Sequence, residues 1–332
     1  MAPPRCRAGQ SRYHGRPMAA KTREIKGRMK AVGNIERITR TMQMIATAQF
    51  QNMHKRAADA RPYTQKIAEV VGELTQALGS EGQISHPLLS PPRESAGREL
   101  LLVLTSTRGL CGAYNANILR TVSKHMEADD TERDIEVVGK KGMGYFRFNQ
   151  IEVTHFHDHI TDKPQWHQVE ELAERYMDDY KAGRYDAVRV ASMHFESMSI
   201  QRPRVIRLLP MEPPSAAGEA EASGNESTAE GQESESGPPS GAGGGSTPLY
   251  EFSPEPATLL SELLPITVKT RLFQCFNEAV VSEHLARMVA MQSATDAANK
   301  MKNRLNREFN RARQAQITKE LSEIIGGAEA VE

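Results

Sequence analysis

The sequence lacks the features that mark membrane-spanning, disulfide-stapled or densely aromatic proteins. Its longest strongly apolar run is Leu100–Leu104, whereas a membrane-spanning helix needs about 20 apolar residues. Its three cysteines are odd in number, lie far apart and form no CxxC pair, which argues against a zinc finger and favours a reducing compartment. Aromatic residues make up only 5% of the chain, while methionine occurs 15 times. This composition suits long helices with adaptable contacts.

Net charge is also absent, because 42 basic residues balance 42 acidic ones. Bulk charge therefore favours neither nucleic acid nor a membrane surface as a partner. The distribution along the chain is uneven: residues 1–61 carry 14 basic and 3 acidic side chains, residues 300–319 carry 7 and 1, and residues 212–256 carry none and 9. The chain has basic helical stretches at both ends and one acidic segment.

Proline is missing between Pro17 and Pro62 and after Pro265, so uninterrupted helices can form at both ends. Apolar residues at steps of three and four predict one stripe on each helix. Sixty helical residues would extend about 90 Å, so we expect the two helices to project from a domain and pair as an antiparallel coiled coil. The predicted stripes consist of Ile25, Met29, Val32, Ile35, Ile38, Met42, Ile45 and Met53, and of Leu285, Met288, Met291, Ala294, Ala298, Met301, Leu305, Phe309 and Ala312.

The middle of the chain has short, β-branched-rich apolar runs that alternate with helical patterns. This order predicts buried parallel strands in a Rossmann-like α/β domain. The predicted fold class is therefore α/β, with a long antiparallel coiled coil of the N- and C-terminal helices and a central α/β domain. The predicted strands are Glu99–Ser106, Ile135–Lys140, Asp186–Phe195 and Arg204–Leu209, and the helices between them are Tyr114–Glu127, Gly142–Asn149 and Gln165–Ala182.

Five segments follow from these patterns. The acidic segment is rich in Gly, Ser and Glu and has too few apolar residues to bury a core, so we expect it to be disordered. The segments are a basic extension at 1–19 that we expect to be absent or disordered, an N-terminal coiled-coil helix at 20–78 with a bend near Pro62, the α/β domain at 98–211, the disordered insert at 212–248, and a C-terminal coiled-coil helix at 257–326.

Three groups of residues could carry chemistry. The glycines of Gly139–Gly144 follow a strand but match no phosphate-binding spacing, which favours a strand-to-helix turn. Cys111 lies near an arginine in a glycine-rich turn, although the sequence identifies no base to activate the thiol. His155, His157 and His159 alternate and could share one face of a strand as metal ligands. Exposed polar residues are the commoner explanation for such histidines.

The basic helices leave two further classes of protein open. One is a nucleic-acid-binding coiled coil, although stacking aromatics are not interleaved with the basic residues. The other is an α/β enzyme with coiled-coil arms. An enzyme should bind a nucleotide or turn over alone, and a nucleic-acid binder should show a steep salt dependence.

The chain resembles the gamma subunit family of rotary F-type ATP synthases through four motifs in the family's order. One position departs from the pattern, since Thr107 stands where the family usually has an acidic residue. The motifs are Ile35–Ala46, Arg108–Gly112, Ala286–Met291 with Ala294–Asp296, and Ala312–Ala315 with Ile317 and Thr318.

This resemblance implies a central rotor shaft without a catalytic site, cofactor or metal of its own. The shaft would couple ion-driven rotation of a membrane ring to conformational cycling of the catalytic beta subunits. The implied partners are the alpha and beta subunits, the epsilon subunit and the ring of c subunits, with one copy per complex and no nucleic acid. Resemblance assigns beta-subunit contacts to Met42, Arg287, Arg313, Gln314 and Thr318, although Met42 can equally be coiled-coil core.

The resemblance also implies a peripheral position at the cytoplasmic side of the inner membrane, or at an organellar inner membrane if residues 1–17 are a transit peptide. We expect the mature chain to begin at Met18 or Ala19, because the family's first helix begins deep in a tight cavity where the arginines of residues 1–17 would be desolvated. The insert at 212–248 has no cysteine, which excludes the thiol switch of chloroplast relatives there.

Overall fold

The computed structural model describes residues 18–79, 86–90, 96–128, 131–160, 162–211 and 256–329. These fall into two compact units, one formed by the described residues of 18–45 and 288–329 and the other by those of 46–287. The expectations for residues 1–17 and for the insert at 212–248 lie outside the described residues. The helices are α1 (Met18–Gly79), α2 (Tyr114–Ala128), α3 (Lys140–Phe148), α4 (Trp166–Lys181) and α5 (Pro256–Glu329), and the strands are β1 (Arg98–Leu104), β2 (Glu132–Val138), β3 (His155–His157), β4 (Ala187–Phe195) and β5 (Gln201–Leu209).

The larger unit contains a five-stranded sheet in the order β3-β2-β1-β4-β5. Strands β1 to β4 are parallel, and β5 pairs antiparallel with β4. Helical crossovers join the parallel strands, as parallel pairing requires. This order is that of a Rossmann-type sheet. The predicted α/β class is confirmed.

Alternating side chains of β1 enter two separate cores, because successive residues of a strand face opposite sides of the sheet. Leu100, Leu102 and Leu104 belong to one core, and Leu101 and Val103 belong to the other. The second core is completed mainly by α2 and α3. The first is completed by α4, by the end of α1 and by the first part of α5, whose contribution is Leu260, Leu264, Val268, Leu272, Cys275, Phe276 and Ala279. The segment predicted as coiled coil at 257–326 therefore also supplies the core of the α/β unit.

The smaller unit is formed by the first part of α1 and the last part of α5, which pair antiparallel. The Thr22 hydroxyl lies 3.2 Å from Gln316 Oε1, and Lys302 Nζ lies 2.8 Å from Glu36 Oε2. Their shared seam has a small apolar core. Its buried members are Ile25, Val32, Ala298 and Leu305, with Met29, Phe309 and Ala312 partly buried.

One polar layer crosses this seam. The Thr295 hydroxyl lies 2.8 Å from the Thr39 hydroxyl oxygen, which leaves Thr39 free to donate to the Glu36 carbonyl at 3.1 Å. Both threonines are buried. The seam positions on α1 are therefore 22, 25, 29, 32, 36 and 39, a strict three-four spacing that is typical of a coiled coil.

The predicted apolar stripes were only partly right. Ile25, Met29 and Val32 lie in the seam, but Ile35, Ile38 and Ile45 are exposed, as is Met301 on α5. The predicted stripes consist of apolar residues and therefore omit Glu36 and Thr39. These two polar residues are tolerated in the seam because their polar groups are paired across it.

The four predicted strands and the three predicted helices between them are confirmed to within about three residues at each end, within the usual uncertainty of element boundaries. The three-residue strand β3 was not predicted, because so short a run gives little alternation to detect. Helix α1 continues through Pro62 as one element, and the bend near this proline stays a prediction.

Candidate functional site

A second apolar stripe runs along α1 beside the seam. Ile35, Ile38 and Ile45 are each more than half exposed, at 52%, 58% and 53%. Met42 lies four residues after Ile38 and three before Ile45, and is half-buried. Residues at this spacing share one helix face. Met42 therefore belongs to an outward stripe of α1, the outer stripe, defined as Ile35, Ile38, Met42 and Ile45.

The last part of α5 also exposes apolar side chains. Arg313, Gln314 and Thr318, predicted as partner contacts, are all exposed there, and the Thr318 hydroxyl donates to the Gln314 carbonyl at 3.0 Å. Ile317 lies four residues after Arg313, and Leu321 lies three after Thr318, so the polar and apolar residues adjoin. The exposed apolar residues of α5 in this unit are Val289, Met301, Ile317, Leu321, Ile324 and Ile325.

Positive charge surrounds these stripes. Residues 18–45 and 288–325 together carry fourteen basic and six acidic side chains. Four of the six acidic groups are already paired with cations of the same helices. At one of them, Glu36, the hydrogen bond from Lys302 lowers the pKa of the carboxyl. Lys302 lines a groove of the paired helices together with Lys30, Arg37 and Arg40. The surface combines exposed apolar residues with an excess of cations.

Arg287, also predicted as a partner contact, lies in the α/β unit and is buried. Its guanidinium is bonded to Glu283 and donates to the backbone carbonyls of Arg108 and Gly109, each at 3.3 Å. Its Nη1 lies 3.3 Å from Nδ1 of His284. Arg287 therefore holds the turn after β1, and a contact with a partner stays a prediction.

The groups around Arg287 have displaced pKa values. Burial raises the pKa of Glu283, and the hydrogen bond and charge of Arg287 oppose that rise. Burial, together with the Arg287 charge, lowers the pKa of His284 to about 4. His284 is therefore neutral at pH 7, and Arg287 is the permanent cation of this cluster. Sequence reasoning did not identify Glu283 or His284, although the four-residue spacing of Glu283 and Arg287 is that of a helical ion pair.

The turn held by Arg287 presents one apolar side chain outward. Leu110 is 58% exposed and has a backbone φ of 65°, in the left-handed region that few non-glycine residues adopt. Ser106 supports the turn by donating to the Arg108 carbonyl at 2.7 Å, and the Asn115 amide donates to Ser106 Oγ at 2.7 Å. A turn fixed at so many points keeps Leu110 exposed.

The residues considered for nucleotide or thiol chemistry have structural roles. Gly139 precedes α3 with φ of 93°, and a Cβ there would lie 2.1 Å from the Thr105 carbonyl oxygen, so this position is a strand-to-helix turn that requires glycine. Cys111 is buried, and its sulfur accepts a hydrogen bond from Asn115 at 3.2 Å and lies 3.6 Å from Ser106 Oγ. Neither neighbour is a general base.

The three alternating histidines lie near one another, but one is already committed. The His157 ring lies 4.6 Å from that of His155 and 5.6 Å from that of His159. Its Nε2 is 2.7 Å from Glu136, which also bonds Arg175 and Tyr176. Within the described residues, no group of three or more His, Cys, Asp or Glu is arranged to hold a metal ion. None of the described helices has the length and apolar composition for a membrane crossing.

Exposed apolar stripes on a helix pair that already has its own seam mark the chain as a subunit of a larger assembly, because soluble monomers rarely expose such patches. Comparison with known proteins agrees. The ATP synthase family model matches residues 21–331. The ATP synthase gamma chain of Rhodopirellula baltica is 38% identical over 316 residues, which cover 94% of this chain and 99% of that protein. The chain belongs to the ATP synthase gamma chain family.

Solved structures share the fold at lower identity. A chain of the Euglena gracilis mitochondrial ATP synthase rotor in rotational state 1 is 17% identical, with a TM-score of 0.56 over 90% of this chain and 99% of that chain. A chain of the same enzyme's OSCP/F1/c-ring assembly in rotational state 3 is also 17% identical, with a TM-score of 0.58 over 94% and 95%. The fold is therefore that of chains from ATP synthase rotor assemblies.

Proposed function

We propose that this chain is the central rotor shaft of an ATP synthase and has no active site of its own. Rotation of a membrane ring of c subunits turns the shaft, and the shaft meets each catalytic beta subunit differently. These differential contacts bias the beta subunits among their nucleotide-binding states. The chain itself catalyses no reaction in this proposal.

The outer stripe of α1 is the observation that carries the proposal. Ile35, Ile38 and Ile45 remain exposed although α1 already buries a separate seam against α5. Their burial would contribute roughly 25 cal/mol for each Å² removed from water. A sleeve of partner subunits around the helix pair would bury them while leaving the seam intact.

The basic surface favours acidic loops as the partner's contribution. Fourteen cations against six anions on these helices create a positive field that attracts carboxylates. The family resemblance supports an acidic hinge loop of the beta subunit beside Met42, and a second beta-subunit loop at Arg313, Gln314 and Thr318. We assign Arg287 an indirect part, as the residue that positions the turn carrying Leu110.

The remaining partners are the alpha subunit, the epsilon subunit and the c ring, with one copy of this chain per complex. The chain would lie at the cytoplasmic side of the inner membrane as a peripheral part of the complex. Co-purification tests whether the chain binds these partners. Tagged chain should retain alpha and beta subunits, and the chain alone should neither hydrolyse ATP nor bind nucleic acid with a steep salt dependence.

Substituting lysine for Met42 tests the coupling role. A new cation beside an acidic loop should over-stabilise one rotary position through a charge-assisted contact, so ion pumping should fall more than ATP hydrolysis. Both activities are measured on the same membranes. Met44→Lys is the matched control, because Met44 is 64% exposed and lies off the outer stripe. Equal loss of both activities in Met42→Lys, or no loss of either, would argue against coupling through this stripe.

A further inference from the structure

A cavity of about 530 Å³ lies in the α/β unit between α1, the first turn of α4, the end of β4 and the middle of α5. Small-molecule sites commonly have volumes of about 300–1,000 Å³ and combine apolar walls with a few placed polar groups. This cavity has that composition. The rotor function proposed above makes no use of it.

Aromatic rings form much of the wall. Trp166 and Phe273 meet edge to face, with ring centroids 5.2 Å apart and planes at 73°. His54 and Phe195 meet in the same manner at 5.5 Å and 76°. The face of an aromatic ring carries partial negative charge and attracts cations, tryptophan most strongly. The Phe273 ring already has the Arg56 guanidinium 5.7 Å from its centroid.

A carboxylate supplies the formal charge of the cavity. Among the described residues that line it, Glu278 is the only Asp, Glu, Lys or Arg. Its two oxygens accept hydrogen bonds from His194 Nδ1 at 2.6 Å and from Gln274 Nε2 at 2.8 Å. These bonds fix the carboxylate in place and leave each oxygen with capacity for another donor. Aromatic walls and one oriented carboxylate are complementary to a flat cation.

We propose that this cavity binds a planar aromatic cation of about two fused rings, with its rings against the aromatic walls and its charge toward Glu278. Ring stacking would supply most of the buried apolar area. The carboxylate would select the cation over a neutral molecule of the same shape.

The single tryptophan of the chain provides a built-in reporter, since Trp166 lies in the cavity wall. Full-length chain is titrated with 1-methylquinolinium, and separately with quinoline, which is nearly the same size and neutral in mildly alkaline buffer. The cation should quench Trp166 fluorescence saturably and bind about tenfold more tightly than quinoline. Calorimetry on Trp166→Phe should still detect binding of the cation, which separates binding from quenching.

Two variants separate charge selection from shape. Glu278→Gln keeps a hydrogen-bonding side chain of the same size and should erase the preference for the cation. Phe273→Leu should weaken both ligands. Glu127→Gln removes an exposed carboxylate from α2 and should change neither affinity. Thermal unfolding of each variant establishes that it is folded before its titration is interpreted.

Three results would overturn the proposal. The first is the absence of saturable binding of 1-methylquinolinium to the folded chain. The second is an unchanged preference for the cation in Glu278→Gln. The third concerns the chain assembled with its partner subunits. If the cation does not bind there and Trp166 is shielded from solvent, the cavity is occupied by a partner's side chain.

Discussion

Gly139 and Gly144 lie five residues apart and have opposite requirements. Gly139 has φ of 93°, and an added Cβ would meet the Thr105 carbonyl oxygen at 2.1 Å. Gly144 lies inside α3 with nothing within 4 Å of the added Cβ. Gly139→Ala should lower the free energy of unfolding by about 3 kcal/mol or more, because strain and a backbone clash add. Gly144→Ala should raise it by about 0.5–1 kcal/mol.

Denaturant unfolding of the two alanine variants measures this difference directly. Similar stability changes in both would mean that the turn after β2 does not approach Thr105 as closely as described. Both variants replace glycine with alanine, so any difference between them comes from the backbone geometry and surroundings of the two positions.

His284 should make the α/β unit sensitive to acid. Its pKa is about 4 in the folded chain and near the ordinary 6.5 when unfolded. Between these values the unfolded state binds a proton that the folded state does not, so stability falls as pH decreases from about 6.5 to 4. Glu283 has a raised pKa in the folded chain, and its contribution to stability has the opposite sign.

His284→Gln should flatten the decrease in stability across this range, as measured by unfolding at a series of pH values. His155→Gln replaces an exposed histidine and serves as the control. An unchanged slope in His284→Gln would show that other groups cause the acid sensitivity.

At the scale of elements, Leu305 and Met301 distinguish the seam from the outward surface of α5. Leu305 is 8% exposed in the seam, and Met301 is 54% exposed one helical turn earlier. Leu305→Ala should lower the free energy of unfolding by about 2–4 kcal/mol through loss of burial and a cavity. Met301→Ala should change it by no more than about 0.5 kcal/mol, as is usual for surface substitutions.

The proposed function adds a second readout for the same pair. Met301→Ala should weaken retention of alpha and beta subunits in a pull-down although the chain remains fully folded. If Met301→Ala unfolds as readily as Leu305→Ala, the division of α5 into seam and outward surface is wrong.

The elements differ in how far sequence alone could predict them. The run Leu100–Leu104 is apolar along its length, as buried parallel strands are, and Val188–Ala191 is interrupted only by Arg189, so both strands were predicted well. The seam was harder to predict, because it includes the polar residues Thr39 and Thr295, whose hydroxyl groups meet at 2.8 Å in the helix pair. The three-four spacing from Thr22 to Thr39 was the pattern that could have revealed them.

The candidate site was also only partly predictable from the sequence. Resemblance selected Arg313, Gln314 and Thr318, and the structure places all three on the exposed surface. It also selected Arg287, whose guanidinium is bonded within the α/β unit to two backbone carbonyls. A motif identifies a residue of interest but not the direction of its side chain, because that direction depends on packing between distant segments.

At the scale of the whole molecule, the proposed role of the chain is mechanical, because its described residues supply surfaces for partners. The exposed apolar stripes and the basic surface favour contacts with partners. The proposed function requires the chain to rotate relative to the catalytic subunits.

That rotation can be observed with a probe on the α/β unit. Met198 is 60% exposed, so Met198→Cys offers an attachment point in a chain that also carries Cys6→Ser, whereas Cys111 and Cys275 are buried. A fluorescent or gold particle is attached there in the assembled complex, whose catalytic subunits are fixed to a surface, and ATP is added. The account predicts stepwise rotation of the particle in one direction that stops when ATP is removed. A particle that stays fixed while the same complexes hydrolyse ATP would contradict it.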